Sequence, residues 1–392
     1  VVLSAVDHNE EVAFWLLVVL VERICFPGTF GHNLSGSHQD YVPLVSSKTE
    51  MARDCYGFDL CLETPAQLAD YARTIEQNAQ QSVHWGKLGK KLPSDGKLKK
   101  LVRGGIPPTH RAWAWYEISG ARLLKEKHAS PSYYANLVKA ASLSKAAEQV
   151  EVDLPRTFPG HPYLACPDTG MRAMRSILTS YSLHNPQVGY CQGLNYIVGV
   201  VLSAVERNEE VAFWLLVVLV ERICFPGTFG HNLSGAHVEM KTLQDLIQEK
   251  LPRLGAHMAA LGCDASLIAT DWFLTVYCAS MPPETACRVL DALFYEGAKV
   301  LFRVALALLK TAEAALLRVD NAGDFMRTVK DFVSGLYNAD GLMRVAFDGI
   351  GSLSLSSVDA VRKLKEQEVK ALMEQRRQQR SSQAAQRPTA GT

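Results

Sequence analysis

Apolar residues recur every three to four positions along most of the chain, which is the spacing of one buried face of an α-helix. Only short, scattered stretches alternate apolar and polar residues as a half-buried strand does, so the pattern predicts an all-α fold. The predicted helices span residues 64–85, 135–143, 169–180, 195–205, 211–223, 242–254, 271–278, 283–294, 300–317 and 325–337, and a further helix is expected to begin at about Thr109 as its N-cap.

The longest apolar runs, residues 211–220 and 12–21, are about half as long as a membrane-spanning helix and have charged residues on both sides. We therefore expect both to be core helices. From residue 361 onward the chain is charged and Gln-rich, which predicts a polar C-terminal helix that frays into a disordered tail.

The first 38 residues nearly repeat residues 200–237, and the two segments differ only at positions 7, 8 and 37 of the first copy. A structural repeat does not need such identity, and no further copies follow at a fixed period. We favour a recent partial duplication or a faulty gene assembly. Since two copies cannot fill one slot in a core, the first is expected to lie on the surface, in a second chain's slot, or loose.

Charge and cysteine usage narrow the class of protein. The 41 basic and 40 acidic side chains nearly cancel, which gives no support for a nucleic-acid partner. Nine cysteines without a Cys-x-x-Cys pair favour a reducing compartment over a disulfide framework. The first residues are acidic rather than basic, unlike a secretory signal. Together these features predict a cytoplasmic protein.

Several kinds of active site find no support in the sequence. The 11 histidines do not follow His-Glu-x-x-His spacing, so we expect no metal site. The phosphate-binding loop of nucleotide hydrolases is missing, so the chain is not expected to hydrolyse a nucleotide by itself. Cys191 with His184 resembles a thiol nucleophile and its base, but nothing in the sequence orients the imidazole, and we disfavour this interpretation.

Six lysines lie between residues 87 and 100. A solvated helix face is the simpler interpretation of such a run, and a surface for an acidic partner or a membrane is the alternative. The sequence leaves both open.

Residues 180–199 pass from turn residues into an apolar segment, and Gln192 lies at the junction. A primary amide donates and accepts hydrogen bonds at once, which suits it to orienting a water molecule. Most glutamines after such a turn are caps or solvated loop residues, so this feature alone does not establish a site.

Two arginines stand near possible partners at helical spacing. Asp153 lies three residues before Arg156 and can hold its guanidinium from behind, an arrangement suited to phosphate oxygens, although such pairs are commonly surface ion pairs. Arg111 and Trp115 are four residues apart on one helix face, and we interpret them as a structural cation–aromatic contact.

These motifs, in this order and spacing, resemble the signature motifs of the TBC domain. Residues 101–317 carry the resemblance, and Tyr56-Gly57-Phe58-Asp59 is similar to the growth-hormone-regulated TBC proteins. The matching segments are Gly-Ile-Pro-Pro-Thr-His-Arg-Ala-Trp-Ala-Trp at 105–115, Val-x-x-Asp-x-x-Arg-Thr-Phe-Pro at 150–159, Tyr-Cys-Gln-Gly-Leu-Asn at 190–195, Asp-Trp-Phe-Leu-Thr at 271–275, Met-Pro-Pro-Glu at 281–284, and residues 296–309.

The resemblance implies an all-helical domain that accelerates GTP hydrolysis on Rab-type small GTPases by two fingers supplied in trans. Arg156 matches the arginine finger and Gln192 the glutamine finger. The implied supporting residues are Asp153, which would hold Arg156, together with Tyr190, Gly193 and Asn195 around Gln192. GTP-loaded Rab is the implied partner; it would hold the Mg²⁺ and GTP, so the chain itself is expected to need no cofactor. Peripheral association with endomembranes through the Rab is compatible with this function in vesicle trafficking.

Two features depart from the family pattern. Leu290 stands where relatives often carry Trp, which is a packing change away from the fingers. The duplicated segment 1–38 has no place in the pattern, and competition for the slot of residues 200–237 would disturb the second finger. The alternative function is therefore a non-catalytic TBC scaffold that binds a small GTPase or another partner.

The expected organisation has four parts. Residues 1–38 are the extension or artefact, 39–98 an N-terminal helical or linker segment, 99–345 the TBC domain, and 346–392 the polar helix and disordered tail.

Overall fold

Helices account for nearly all regular structure in the described part of this protein. A computed structural model describes residues 52–128 and 130–385. Within those ranges it contains 17 α-helices and no β-strand, and an isolated bridge joins Arg53 to Asp59. The predicted all-α fold is confirmed. The duplicate segment 1–38 and the predicted disordered end at 386–392 lie outside the described residues.

The N-terminal part of the described chain contains α1 (Pro65–Gly86), α2 (Asp95–Gly104), α3 (Pro108–Ile118), α4 (Ala121–Lys127) and α5 (Tyr133–Lys139). Thr64 caps α1, because its hydroxyl accepts a hydrogen bond from the Gln67 amide. The predicted N-cap at Thr109 is wrong: α3 begins at Pro108, after an extended Pro107. Proline fits the first helical position, where its missing amide leaves no unmet hydrogen bond.

The central part contains α6 (Ala147–Thr157), α7 (Arg172–His184), α8 (Leu194–Ala204) and α9 (Glu209–Val218), which continues as a π-helical turn over Leu219–Ile223. Every side chain from 212 to 220 is buried. Burial on all sides explains the unbroken apolar run and confirms the predicted core helix at 211–220. In the described part of the chain, no helix is long and apolar enough to cross a membrane.

The C-terminal part contains α10 (Ser234–Lys250), α11 (Pro252–Ala260), α12 (Ala265–Leu274), α13 (Pro283–Glu296), α14 (Lys299–Leu316), α15 (Ala322–Ser334), α16 (Ala339–Arg344) and α17 (Leu355–Ala385). The single helix predicted over 242–254 is wrong, because Pro252 cannot continue α10 and starts α11 instead. The helix predicted over 271–278 already ends at Leu274, and Val276 and Tyr277 adopt positive φ values of 50° and 65°.

Helix α17 begins six residues before the predicted polar helix at 361 and is anchored to α10 by a buried ion pair. Arg362 places Nη2 at 2.6 Å from Glu239 Oε1 and Nε at 2.9 Å from Oε2. Val358 and Val369 on the same helix are buried. Its polar sequence therefore does not prevent docking, because a few apolar positions and one paired charge face the core.

A second buried charge cluster joins α3 to α13. Arg111 Nε lies 3.0 Å from Asp291 Oδ1, and its Nη1 lies 2.6 Å from Glu284 Oε2. Trp115 Nε1 donates to Asp291 Oδ1 at 2.7 Å, and its ring centroid is 5.9 Å from Arg111 Cζ. Tyr56 also contacts the guanidinium. Arg111 and Trp115 thus lie in a structural junction, where the two carboxylates provide the principal contacts.

Candidate functional site

Arg156 lies in the last turn of α6, where its side chain is 54% exposed. One turn earlier, the Asp153 side chain is fully buried. Arg156 Nε donates to Asp153 Oδ1 at 3.0 Å, and Nη2 contacts the same oxygen. These contacts use one edge of the guanidinium. The remaining nitrogen, Nη1, has no hydrogen-bond partner among the described residues. A planar, permanently charged donor is therefore held at the surface.

Tyr190 connects the Gln192 loop to this ion pair. Its hydroxyl donates to Asp153 Oδ2 at 2.6 Å, so the two carboxylate oxygens serve different partners. Burial raises the pKa of Tyr190, and the hydrogen bond and negative charge of Asp153 raise it further. The phenol therefore stays a donor at neutral pH. Gln149 Nε2 adds a longer contact of 3.3 Å to Asp153 Oδ1.

Gly193 fixes the turn that carries Gln192. Its φ of 116° is unfavourable for residues with a side chain, and an added Cβ would lie 2.6 Å from the Leu274 carbonyl oxygen. Helix α8 begins at the next residue, and Gln192 itself is exposed. The amide of Gln192 is thus presented to solvent at the start of a buried helix, beside a loop tied to Asp153.

Asn195 and Thr157 form a second connection between the two candidate fingers. Asn195 Oδ1 accepts from the Gly193 amide at 2.9 Å, while its Nδ2 donates to Thr157 Oγ1 at 2.8 Å. The Thr157 hydroxyl in turn donates to the Asp153 carbonyl at 2.8 Å. The sequence reasoning missed Thr157, although it directly follows Arg156 in the quoted motif.

Aromatic side chains pack against the same junction. Phe158 meets Phe58 at 5.0 Å and Tyr196 at 5.4 Å between ring centroids, both edge to face. A Cβ on Gly199 would lie 2.5 Å from Phe158 Cε2, so α8 approaches this ring closely where it has no side chain. The end of α6 therefore packs on α8, which begins two residues after Gln192.

The disfavoured thiol nucleophile finds no support in the geometry. His184 Nδ1 lies 2.8 Å from the Tyr133 hydroxyl, and Nε2 lies 3.4 Å from Glu221. Burial raises the pKa of Cys191, which opposes formation of a thiolate. No cluster of three or more candidate metal ligands occurs in ranges 52–128 and 130–385.

A groove of about 990 Å³ separates residues 225–238 from α17, and none of the predicted site residues lines it. The predicted residues fall instead into two groups. Arg156, Asp153, Tyr190, Gly193 and Asn195 belong to one hydrogen-bonded junction, which the exposed Gln192 adjoins, whereas Arg111 and Trp115 belong to the buried cluster with Asp291.

The family model of the Rab-GTPase-TBC domain matches residues 108–317, which is more than half of the chain. This protein belongs to the TBC domain family. The match contains both candidate fingers and all their hydrogen-bonding partners described above.

The matches with similar proteins cover different shares of those proteins' lengths. A zebrafish growth hormone-regulated TBC protein 1-A is 32% identical over 84% of this chain and 94% of the relative. The human TBC1 domain family member 2A is 36% identical over 73% of this chain, but the match spans only 31% of that relative. Among solved structures, the Chlamydomonas flagellar RabGAP TBC domain is 43% identical with a TM-score of 0.70, covering 77% of this chain and 100% of that one.

Proposed function

We propose that this TBC protein accelerates GTP hydrolysis by a Rab-type small GTPase and supplies Arg156 and Gln192 to the partner's active site. The observation that carries the proposal is the exposed Arg156 guanidinium held by buried Asp153, whose other carboxylate oxygen is bonded to the Gln192 loop through Tyr190. One carboxylate thereby connects the Arg156 side chain with the loop that contains Gln192, which supports a joint role for the two residues.

The chemistry of phosphoryl transfer gives each side chain a task. An arginine supplied in trans stabilises charge on the transferring phosphoryl oxygens and raises the rate by roughly 10³ to 10⁵. This corresponds to about 4 to 7 kcal/mol of activation free energy. The Gln192 amide would orient the attacking water, since it donates and accepts at the same time. Mg²⁺ and GTP would remain bound to the GTPase, and this chain would need no cofactor.

The physiological setting follows from the partner. A cytoplasmic protein would act on a GTP-loaded Rab in vesicle trafficking and would associate with endomembranes peripherally, through the Rab. The names of the family and of the flagellar RabGAP relative support the Rab partner in this proposal.

Single-turnover phosphate release from a panel of GTP-loaded Rab proteins tests the proposal. The full chain is expected to accelerate at least one Rab, and Arg156→Ala to lower that stimulation by roughly 10³-fold or more. Arg156→Lys should fail similarly, because lysine lacks the planar fork, and Gln192→Ala should also lower the stimulated rate.

Arg327→Ala is the matched control, because Arg327 also pairs with an aspartate three residues earlier but lies outside the site. Full stimulation by Arg156→Ala would refute the finger assignment. Binding to GTP-loaded Rab without acceleration, both with and without residues 1–38, would instead establish the scaffold function.

A further inference from the structure

Six exposed lysines lie at the end of α1, in the turn that follows it and in α2, and we call this set the lysine ridge. All six members are exposed, and none forms an ion pair within the described residues. Elsewhere lysines such as Lys125, Lys299 and Lys365 do pair with carboxylates. The ridge consists of Lys87, Lys90, Lys91, Lys97, Lys99 and Lys100.

The ridge lies at the end of α1 and on α2, and buried side chains of both helices fix it in place. In α2, Leu98 and Val102 are buried, which directs the lysines of that helix outward. The Trp85 indole at the end of α1 is buried and donates to the Gly105 carbonyl at 3.0 Å. Lys90 adopts a positive φ of 60° in the connecting turn, a conformation uncommon for residues other than glycine. The charges therefore project from a defined surface.

The ridge is a local concentration of positive charge in a chain whose charges nearly cancel. Residues 87–100 contain six lysines and a single acidic residue, Asp95, while the whole chain carries a formal charge of +1. The remaining residues are consequently net negative. Attraction of an acidic surface to residues 87–100 would therefore depend on this local charge and not on the net charge of the chain.

The side-chain chemistry favours a lipid surface over other anionic partners. Lysine is depleted in protein–protein interfaces, which use Arg, Tyr and Trp as anchors. Proteins that bind single-stranded nucleic acids add exposed aromatic side chains for base stacking, and residues 87–100 contain no aromatic residue. Clustered lysines, by contrast, bind anionic headgroups through charge alone. Val83, 58% exposed and one helical turn before Lys87, adds an apolar contact of the kind that enters a bilayer interface.

We propose that the lysine ridge binds the anionic headgroups of a membrane directly, independently of any GTPase. This contact would hold the protein at the membrane surface. It does not depend on Arg156 or Gln192, so it is tested independently of the proposed GTPase activation.

Vesicle sedimentation with the full chain tests the inference. The probes are phosphatidylcholine vesicles, phosphatidylcholine–phosphatidylserine vesicles and charge-matched phosphatidylcholine–polyphosphoinositide vesicles. The protein should bind both anionic kinds of vesicle similarly and should not bind neutral vesicles, and binding should weaken as the salt concentration rises.

The triple variant Lys97→Gln, Lys99→Gln, Lys100→Gln should bind anionic vesicles on the order of a hundredfold more weakly, from roughly fivefold per lysine. Glutamine preserves helix propensity, so α2 should remain folded.

Lysines outside the ridge provide the matched control. Lys330→Gln, Lys363→Gln and Lys370→Gln remove the same charge from exposed positions and should reduce binding far less. A triple Lys→Arg variant of α2 should retain binding. The inference is overturned if wild type ignores anionic vesicles at low salt, if both triple Gln variants lose binding equally, or if polyphosphoinositide vesicles alone are bound. Equally ridge-dependent capture of single-stranded RNA at the same salt concentration would overturn the assignment to lipid.

Discussion

Asp153 is the residue on which the candidate site depends most directly. Its buried carboxylate accepts hydrogen bonds from Arg156 and Tyr190, and its backbone carbonyl accepts one from Thr157. A buried carboxylate without Arg156 and Tyr190 would carry an uncompensated charge, so both donors stabilise Asp153 in its buried position. Position 153 therefore fixes where the guanidinium points.

Gly193→Ala tests whether the backbone at position 193 positions Gln192. The strained φ alone is expected to cost about 1–3 kcal/mol, and the contact with the Leu274 carbonyl should add to it. The thermal unfolding temperature and the stimulated rate of GTP hydrolysis should both fall. Gly189→Ala is the control, because Gly189 also has a positive φ of 64° but its added Cβ would meet nothing within 4 Å. Equal losses in the two variants would show that the close approach to Leu274 is unimportant.

At the scale of elements, the site is a junction between two helices. Arg156 lies near the end of α6, and Gln192 directly precedes the glycine at the start of α8. Asn195 and Thr157 bridge them, and Phe158 packs on Tyr196 alongside. The junction makes the relative placement of the two fingers a property of helix packing rather than of a free loop.

A double-mutant cycle at Thr157 and Asn195 measures this coupling. Thr157→Val and Asn195→Ala each remove one side of the 2.8 Å hydrogen bond. Because the second change removes a partner that is already unpaired, we expect the unfolding free energies to be non-additive by about 0.5–3 kcal/mol. Denaturant unfolding of the four proteins provides the cycle. Additive losses would mean that the bridge does not couple α6 to α8.

At the scale of the whole molecule, Arg111 joins distant parts of the chain. Its partners Glu284 and Asp291 lie on α13, 173 and 180 residues later in the sequence. Burial opposes ionisation of Glu284, but the Arg111 charge and the hydrogen bonds from Arg111, Asn78 and Tyr56 outweigh it and lower the pKa of this carboxyl.

Glu284 should make stability sensitive to acid. Its folded-state pKa lies below the ordinary value of 4.5, so its contribution is fully present above that pH and is lost as pH falls through the lowered folded-state pKa. Glu284→Gln should destabilise the fold at neutral pH. It should also reduce the loss of unfolding free energy between neutral and acidic pH. Urea unfolding across that range measures both effects. Exposed Glu148→Gln is the control, and equal pH profiles of the two variants would contradict the prediction.

The candidate residues could be named from the sequence because their motifs occupy short, contiguous segments. Residues 150–159 and 190–195 each carry a recognisable pattern, and Asp153 lies close enough to Arg156 for a helical contact to be expected. Tyr190 was expected only as a supporting residue around Gln192. Its bond to Asp153 crosses 37 residues, a separation about which local periodicity contains no information.

The sequence by itself determined the all-α class and the approximate position of most helices, because helical periodicity and prolines act locally. Only the tertiary structure decided that Asp153 is shared by Arg156 and Tyr190, that Thr157 bridges to Asn195, and that Asp291 receives both Arg111 and Trp115. These contacts join helices that are distant in sequence, and which polar groups meet depends on how the apolar faces of those helices pack.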